Sequence, residues 1–133
     1  MSGILLAEDN PADVYLIQEA LREHSITCPV RVAPDGKIVL DLLESPSPED
    51  RFSLIVLDLN LPLYDGLEIL QRLRVTPSIS RVPVVILTSS DSPRDRVVAS
   101  ELGAACYLRK PSNLEQFLSL GAIFKTLLGP AAT

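Results

Sequence analysis

Residues 54–62 read LIVLDLNLP, a short apolar run that ends at the carboxylate of Asp58. A run of this length that is apolar throughout is typical of a strand in a parallel sheet covered on both faces. Comparable runs occur at residues 4–7, 30–32, 84–87 and 106–108, and each is followed by a stretch with helical spacing. This alternation predicts an α/β fold, a five-stranded parallel sheet with five helices on its two faces.

The predicted helices begin and end at residues suited to capping. Asn10 is a good N-cap, Pro11 suits the first helical position, and the charge of Asp13 suits the helix dipole. The other helices are predicted around residues 38–43, after residues 65–66, from about 92 to 103, and from about 113 to 128. Residues 45–48 are predicted to form a surface loop and residues 131–133 a frayed tail.

Length and composition exclude several classes of protein. The 133 residues suit one domain, interpreted as residues 1–133 with no room for a second, output domain. Twelve Lys and Arg against seventeen Asp and Glu give a net charge of −5, which disfavours direct binding to nucleic acid. No apolar run approaches the roughly 18 residues of a membrane span. Two distant cysteines and a start that is unlike a secretory signal predict a cytoplasmic protein.

Polar residues follow the strands where ligand sites form in parallel sheets, at the carboxyl ends. Glu8 and Asp9 follow the first strand, and Asp58 follows the third. If these strands are neighbours, three carboxylates meet and require a counterion. Mg²⁺ takes oxygen ligands and keeps several waters, so Asp9, Asp58 and the backbone carbonyl of Asn60 are predicted to hold it, with Glu8 acting through a bound water.

Two further residues suit a phosphoryl group at the same edge. Thr88 ends the fourth strand and Lys110 follows the fifth. An ammonium group and a metal ion would neutralise phosphoryl charge, while a hydroxyl would bond one oxygen. The remaining nucleophile is Asp58, whose carboxylate could form an acyl phosphate.

Together these residues resemble the receiver domain of bacterial two-component response regulators, in order and over essentially the whole chain. The resemblance is carried by Glu8-Asp9, Asp58 within residues 57–66, Thr88 within residues 87–90, and Tyr107 with Lys110-Pro111. It implies a flavodoxin-like receiver fold with strand order 2-1-3-4-5. It also implies a signalling protein rather than an enzyme, a single-domain response regulator that passes its signal to a downstream protein or phosphotransfer partner.

The resemblance assigns a role to each matching residue. Asp58 would accept a phosphoryl group from a sensor histidine kinase in the presence of Mg²⁺, and Lys110 would bind that group. Thr88 and Tyr107 would form the switch that alters the surface of the fourth helix, fifth strand and fifth helix. The Lys110-Pro111 peptide bond would be cis, a form that only proline adopts at low cost.

Residues adjacent in sequence to the matching residues suggest a subgroup of the family and bear on how long the acyl phosphate lasts. Residues 8–13 (EDNPAD) and 58–62 (DLNLP) resemble the small stand-alone regulators paired with phytochrome-type histidine kinases. Asn60 and Ser90 stand at positions that in the family tune acyl phosphate lifetime. Leu61 and Tyr64 depart from the methionines common in the family, which affects partner choice and phosphoryl lifetime rather than the chemistry.

The last predicted helix suggests self-association. At about 100° per residue its apolar side chains spread over roughly 220°, which is wider than one core contact requires. Leu120, Ile123 and Leu127 fall together on one flank of this helix. These three residues are therefore predicted to join a homodimer interface on the fourth helix, fifth strand and fifth helix.

Other functions remain open from the residues alone. A degenerate receiver would act as an interaction module without phosphate, although no acid and no lysine of the pattern is missing. A phosphatase with an Asp nucleophile would usually carry a second Asp where Asn60 stands, together with a cap insertion. A flavin carrier on this fold would require a phosphate loop where Glu8 and Asp9 would repel the phosphate.

Overall fold

The computed structural model describes residues 3–44 and 51–129. Five parallel strands form one sheet in the order β2-β1-β3-β4-β5, so the predicted fold class and strand order are confirmed. The strands are β1 (Gly3–Ala7), β2 (Val30–Ala33), β3 (Phe52–Leu57), β4 (Val84–Thr88) and β5 (Cys106–Arg109). The helices are α1 (Pro11–Glu23), α2 (Gly36–Glu44), α3 (Gly66–Val75), α4 (Pro93–Glu101), α5 (Leu114–Ser119) and α6 (Gly121–Leu128).

The sheet has a hydrophobic core on each face because successive residues of a strand point in opposite directions. In β1, Leu5 packs toward α2, α3 and α4, whereas Ile4 and Leu6 pack toward α1, α5 and α6. β3 alternates in the same way, and its last four residues are all buried. β1 and β3 are therefore covered on both sides, which explains why residues 4–7 and 54–57 are apolar throughout.

Side-chain caps fix the helix starts near the carboxyl edge of the sheet. The Asn10 side chain accepts hydrogen bonds from the backbone N–H groups of Ala12 and Asp13, as predicted for the start of α1. Ser92 caps α4, and Gly103, just beyond that helix, has a positive φ of 82°. The predicted loop at 45–48 and the tail at 131–133 lie outside the described residues. Within the described ranges, no helix has the length and apolar character needed to cross a bilayer.

The prediction of one unbroken helix from about 113 to 128 is wrong, because the chain breaks at Leu120 into α5 and α6. The Ser119 hydroxyl donates a hydrogen bond to the carbonyl of Gln116, and the Leu120 N–H bonds to Phe117 three residues back. Such side-chain competition and shortened bonding tighten the turn locally. Leu120 itself keeps helical backbone angles, with φ of −60° and ψ of −24°.

The prediction that Leu120 joins a dimer interface is wrong, because its side chain is buried, whereas the assignment of Ile123 and Leu127 to that interface stays a prediction. Leu120 is only 8% exposed and belongs to the core beneath α1, and Ile123 and Leu127 are half-buried against the same core. Helical spacing defines the wide apolar arc but not which part of it faces the sheet, and the buried part contains Phe117, Leu120 and Phe124. Leu114, at the start of α5, is instead 59% exposed.

Close packing of α1 and α6 generates a stability prediction. A Cβ at Gly121 would overlap Nδ1 of His24 and the backbone carbonyl oxygen of Ala20. Since the Ala20 oxygen belongs to a packed helix, Gly121→Ala is expected to lower the free energy of unfolding by about 1–3 kcal/mol. Urea unfolding measures the change. The exposed neighbour Ala122→Ser should cost less than about 0.5 kcal/mol, and an equal cost in the two variants would contradict the packing argument.

Candidate functional site

Strand order brings the ends of β1 and β3 side by side. Ala7 pairs with Leu57 in the register of these two strands, and the Asp58 N–H donates to the Ala7 carbonyl at 3.0 Å. The residues that follow the two strands are Glu8, Asp9 and Asp58, so they must emerge at the same edge. The adjacency on which the predicted acidic site depends is present.

Glu8, Asp9 and Asp58 form an acidic cluster. One carboxylate oxygen from each of them lies within 4.8 Å of the others. Glu8 and Asp58 are only 2% and 4% exposed, whereas Asp9 is exposed to solvent. Hard oxygen donors at this spacing, with one open side, suit a divalent cation that retains waters.

The ammonium group of Lys110 lies against this acidic cluster and supplies one positive charge. Its Nζ lies 2.8 Å from Oδ2 of Asp58, 2.7 Å from Oδ2 of Asp13 and 3.1 Å from Oε2 of Glu8. An ammonium group has three protons, and here each has a carboxylate acceptor. Burial by itself would lower the pKa of Lys110, but the hydrogen bonds to Asp13 and Asp58 outweigh it and raise that pKa, so the side chain stays charged.

Asp58 is held ionised by two donors. While Lys110 binds Oδ2, the backbone N–H of Asn60 donates to Oδ1 at 2.9 Å. Burial by itself would raise the pKa of Asp58, but the hydrogen bonds from Lys110 and Asn60 outweigh it and lower that pKa below its usual value. The buried carboxylate is therefore charged and held in a fixed orientation.

Glu8 behaves in the opposite way. Burial raises its pKa from the ordinary 4.5 to about 7, and its hydrogen bond with Asp58 and the charge of Asp58 add to this rise. Its Oε1 also accepts a hydrogen bond from the backbone N–H of Asn10 at 3.1 Å. Because Glu8 and Asp58 are adjacent and buried, ionising both would place two negative charges close together. Retaining one proton, on Glu8, costs less free energy.

Thr88 connects the end of β4 to this cluster. Its side chain is fully buried, and Oγ1 accepts hydrogen bonds from Nδ2 of Asn60 and from the backbone N–H of Ser90, each at 3.3 Å. The Ser90 hydroxyl in turn donates to Oδ2 of Asp95 at 3.0 Å. Asn60 thus contacts both Asp58, through its backbone, and Thr88, through its side chain.

Tyr107 lies beside the loop after β4. Its hydroxyl donates to the Ser90 carbonyl at 3.2 Å, and its half-buried ring packs against the core on the α2–α4 side. The guanidinium of Arg96 lies over the ring, 4.6 Å from its centroid, in a cation–π contact. The structure therefore places Tyr107 in contact with the segment that carries Thr88.

The predicted cis bond between Lys110 and Pro111 is wrong, since the described residues contain no cis peptide bond. The trans form of a bond before proline is favoured by about 0.5–1 kcal/mol. The trans chain already brings Lys110 Nζ to three carboxylates, so contact with the cluster does not require the cis isomer.

Two residues of the site were not predicted. Asp13 was interpreted only as a charge suited to the helix dipole, and Asp95 was not assigned to the site. A usable signal existed in both cases. Each is the third residue after an N-cap, Asn10 or Ser92, and each of these helices begins just after a strand that ends at the site. A first helical turn in that position faces the sheet edge.

Comparisons with known proteins agree with this arrangement. The chain is 38% identical over 120 residues to response regulator Rcp1 of Synechocystis sp. (strain PCC 6803), an alignment that covers 88% of this chain and 82% of Rcp1. It superposes on the crystal structure of the Mn²⁺-bound form of Rcp1 with a TM-score of 0.88 and 35% identity, covering 98% of this chain and 96% of that one.

Two further relatives define the extent of the similarity. The phosphorylated cyanobacterial phytochrome response regulator RcpA gives a TM-score of 0.87 at 36% identity, with 99% of this chain and 96% of that chain covered. The transcriptional regulatory protein CpxR of Escherichia coli is 39% identical over 113 residues, and this chain spans only 44% of its length. The sequence model of the response regulator receiver domain family matches residues 4–120 of this chain. The chain belongs to the response regulator receiver domain family.

Proposed function

We propose that this protein is a phosphorylation switch in which Asp58 accepts a phosphoryl group from the phosphohistidine of a sensor histidine kinase. The observation that supports this proposal most strongly is the burial, charge and orientation of the Asp58 carboxylate. Its carboxylate is almost fully buried, has a lowered pKa and is oriented by Lys110 and by the Asn60 backbone. A buried carboxylate that remains charged beside a lysine and an open acidic cluster suits nucleophilic attack on phosphorus better than a structural role.

The transfer follows from the geometry of this carboxylate. One oxygen of Asp58 attacks the phosphorus atom in line while the bond from phosphorus to the donor nitrogen breaks. The electron pair of that bond leaves with the imidazole, and Asp58 becomes an acyl phosphate. Lys110 already lies 2.8 Å from one Asp58 oxygen, so its ammonium group is placed to bond an oxygen of the arriving phosphoryl group.

The acidic cluster fits Mg²⁺ as the metal of this reaction. Asp9, Asp58 and the backbone carbonyl of Asn60 would hold the ion, and Glu8 would contact it through a water. When bound, Mg²⁺ supplies neutralisation of negative charge on the phosphoryl oxygens. The surplus of carboxylates over the single ammonium of Lys110 supports this assignment.

The switch depends on Thr88. In the structure its hydroxyl oxygen accepts bonds from Asn60 and Ser90. We expect Thr88 to turn toward a phosphoryl oxygen on Asp58, giving up at least one of these bonds and drawing the Ser90 segment with it. Tyr107 is bonded to the Ser90 carbonyl, so it would follow and alter the surface made by α4, β5 and α5.

We expect Asn60 and Ser90 to tune the lifetime of the acyl phosphate. Asn60 is exposed beside Asp58, while Ser90 is tied to Asp95 and half-buried. The Asn60 N–H bonds Asp58 and the Ser90 N–H bonds Thr88, so both residues lie next to residues of the phosphorylation site. We expect slow self-dephosphorylation at this site rather than turnover of an external substrate.

Partner identity is inferred from relatives and from the surface. Two structural neighbours are named as the cyanobacterial phytochrome response regulator RcpA and the bacteriophytochrome response regulator RtBRR, which supports a phytochrome-like kinase as donor. Exposed apolar residues on the helices flanking β5, Val97 on α4 and Leu114 on α5, support a homodimer or a downstream protein partner on this surface.

The phosphoacceptor prediction is tested by intact mass after incubation with acetyl phosphate. The wild type is expected to gain the mass of one phosphoryl group in Mg²⁺ and to gain little in a chelator. Asp58→Asn should gain none, because the nucleophilic oxygen is lost. Asp41→Asn, an exposed acid on α2 paired with Lys37, is the matched control and should behave as wild type. Equal labelling of Asp58→Asn and wild type would contradict the assignment.

Glu8 generates a prediction about pH in the metal-free protein. The folded state holds the Glu8 proton more tightly than the unfolded chain, because its pKa rises from 4.5 to about 7. Its contribution to stability is therefore complete below the lower value and is lost as the pH rises through the upper one. In a chelator, the free energy of unfolding should fall by about 1–3 kcal/mol between about pH 5 and pH 8.

Urea titrations across that pH range measure this dependence, and Glu8→Gln should remove most of the fall. An identical profile for Glu8→Gln and the wild type would show that another group is responsible.

Self-association is tested by sedimentation. At about 100 µM the wild type is expected to have close to twice the monomer mass in at least one phosphorylation state, and Val97→Glu combined with Leu114→Glu should give the monomer because charge is not tolerated in an apolar contact. Val75→Glu, an exposed apolar residue on α3, is the control. Monomer mass for the wild type at all concentrations and in both states would exclude the dimer.

A further inference from the structure

Asp13 makes a contact that the proposed function does not explain. Its carboxylate lies 2.7 Å from Nζ of Lys110, closer than either Glu8 or Asp58. The contact joins α1 to the segment after β5, and both side chains are largely buried, with 18% and 11% exposure. An exposed helix-dipole charge would require no such partner.

The number of acceptors around Lys110 shows what Asp13 does. In the structure, the three ammonium protons are matched by Asp13, Glu8 and Asp58. Asp58 is the residue to be phosphorylated, and both Asp58 and Glu8 belong to the acidic cluster that suits a cation. Asp13 is outside that cluster, so it is the acceptor that stays available to Lys110 when the other two take up the phosphoryl group and the cation.

Asp13 is also held on a rigid element. Its backbone N–H donates to the Asn10 side chain, and α1 is anchored one and two turns further on by the buried Ile17 and Leu21. A carboxylate on a fixed helix restrains a long lysine side chain, whose free rotamers would otherwise place Nζ in many positions. The lysine itself lies in the segment just after the edge strand β5.

We propose that Asp13 is a positioning residue that holds the Lys110 ammonium group at the phosphorylation site when Glu8 and Asp58 are engaged. This inference rests on the proposed function, in which Lys110 binds the phosphoryl group on Asp58. Asp13 touches neither the phosphorus nor the cation. It acts through Lys110 alone.

The test compares Asp13→Asn, Asp13→Glu and the control Asp41→Asn, which removes an exposed Lys–Asp pair by the same chemical change. Three quantities are measured on the full chain. They are the rate of phosphorylation by acetyl phosphate in saturating Mg²⁺, the Kd for beryllofluoride as a phosphoryl mimic in Mg²⁺, and the Kd for Mg²⁺ alone by calorimetry.

Asp13→Asn is expected to slow phosphorylation and weaken beryllofluoride binding by about tenfold each, the size of one charge-assisted hydrogen bond. The Kd for Mg²⁺ should change by less than about threefold, because Asp13 is not a ligand. Asp13→Glu should recover most of the loss, since it restores a carboxylate on the same helix. A purely structural role for Asp13 would not separate the phosphoryl readouts from the Mg²⁺ readout.

Three results would overturn the inference. Unchanged phosphoryl readouts in Asp13→Asn would show that Lys110 does not need Asp13. Faster phosphorylation would show that Asp13 competes with the phosphoryl group for Lys110. Parallel weakening of Mg²⁺ and beryllofluoride binding would place Asp13 with the metal. In all three cases wild-type phosphorylation at Asp58 leaves the proposed function intact, whereas an unphosphorylated wild type would overturn both.

Discussion

One ammonium group, that of Lys110, faces three carboxylates at the carboxyl edge of the sheet, and the site depends on this imbalance of charge. Buried carboxylates are tolerated only when protons, donors or cations compensate them. Glu8 meets the requirement by retaining its proton up to about pH 7. Asp58 meets it through Lys110 and the Asn60 N–H, which leave it charged. The same deficit of positive charge makes the edge receptive to a divalent cation.

The packing of the fold holds the carboxylates of Glu8, Asp9 and Asp58 together despite their mutual repulsion. β1 and β3 are central strands covered on both faces, so the ends from which Glu8 and Asp58 emerge cannot drift apart without disrupting two cores. Helix α1 starts only a few residues later, and its cap fixes the backbone of Asp13. The acids are thus held by apolar packing a few ångströms away, and this packing offsets the repulsion between them.

The sequence was sufficient for features that follow from strand ends. Because parallel strands carry their following residues to one edge, Asp58, Thr88 and Lys110 could be grouped without coordinates. Contacts that depend on side-chain reach could not. Asp13 and Lys110 are separated by 97 positions, and only the distance between α1 and the end of β5 decides whether they meet. Leu120 was misplaced because helical spacing groups apolar side chains on a face but does not show which part of a wide apolar arc packs on the sheet, and that part contains Phe117, Leu120 and Phe124.

Asn60 connects Asp58 to Thr88. Its backbone N–H bonds Asp58, while its side-chain amide bonds Thr88, and Thr88 bonds the same segment whose carbonyl receives the Tyr107 hydroxyl. A chain of neutral hydrogen bonds of this length contributes modestly per bond, about 1 kcal/mol each. A phosphoryl group on Asp58 offers Thr88 a charged acceptor of roughly twice the strength of a neutral one. In the proposed switch this difference would shift the equilibrium toward the rearranged surface, and hydrolysis of the acyl phosphate would remove that shift.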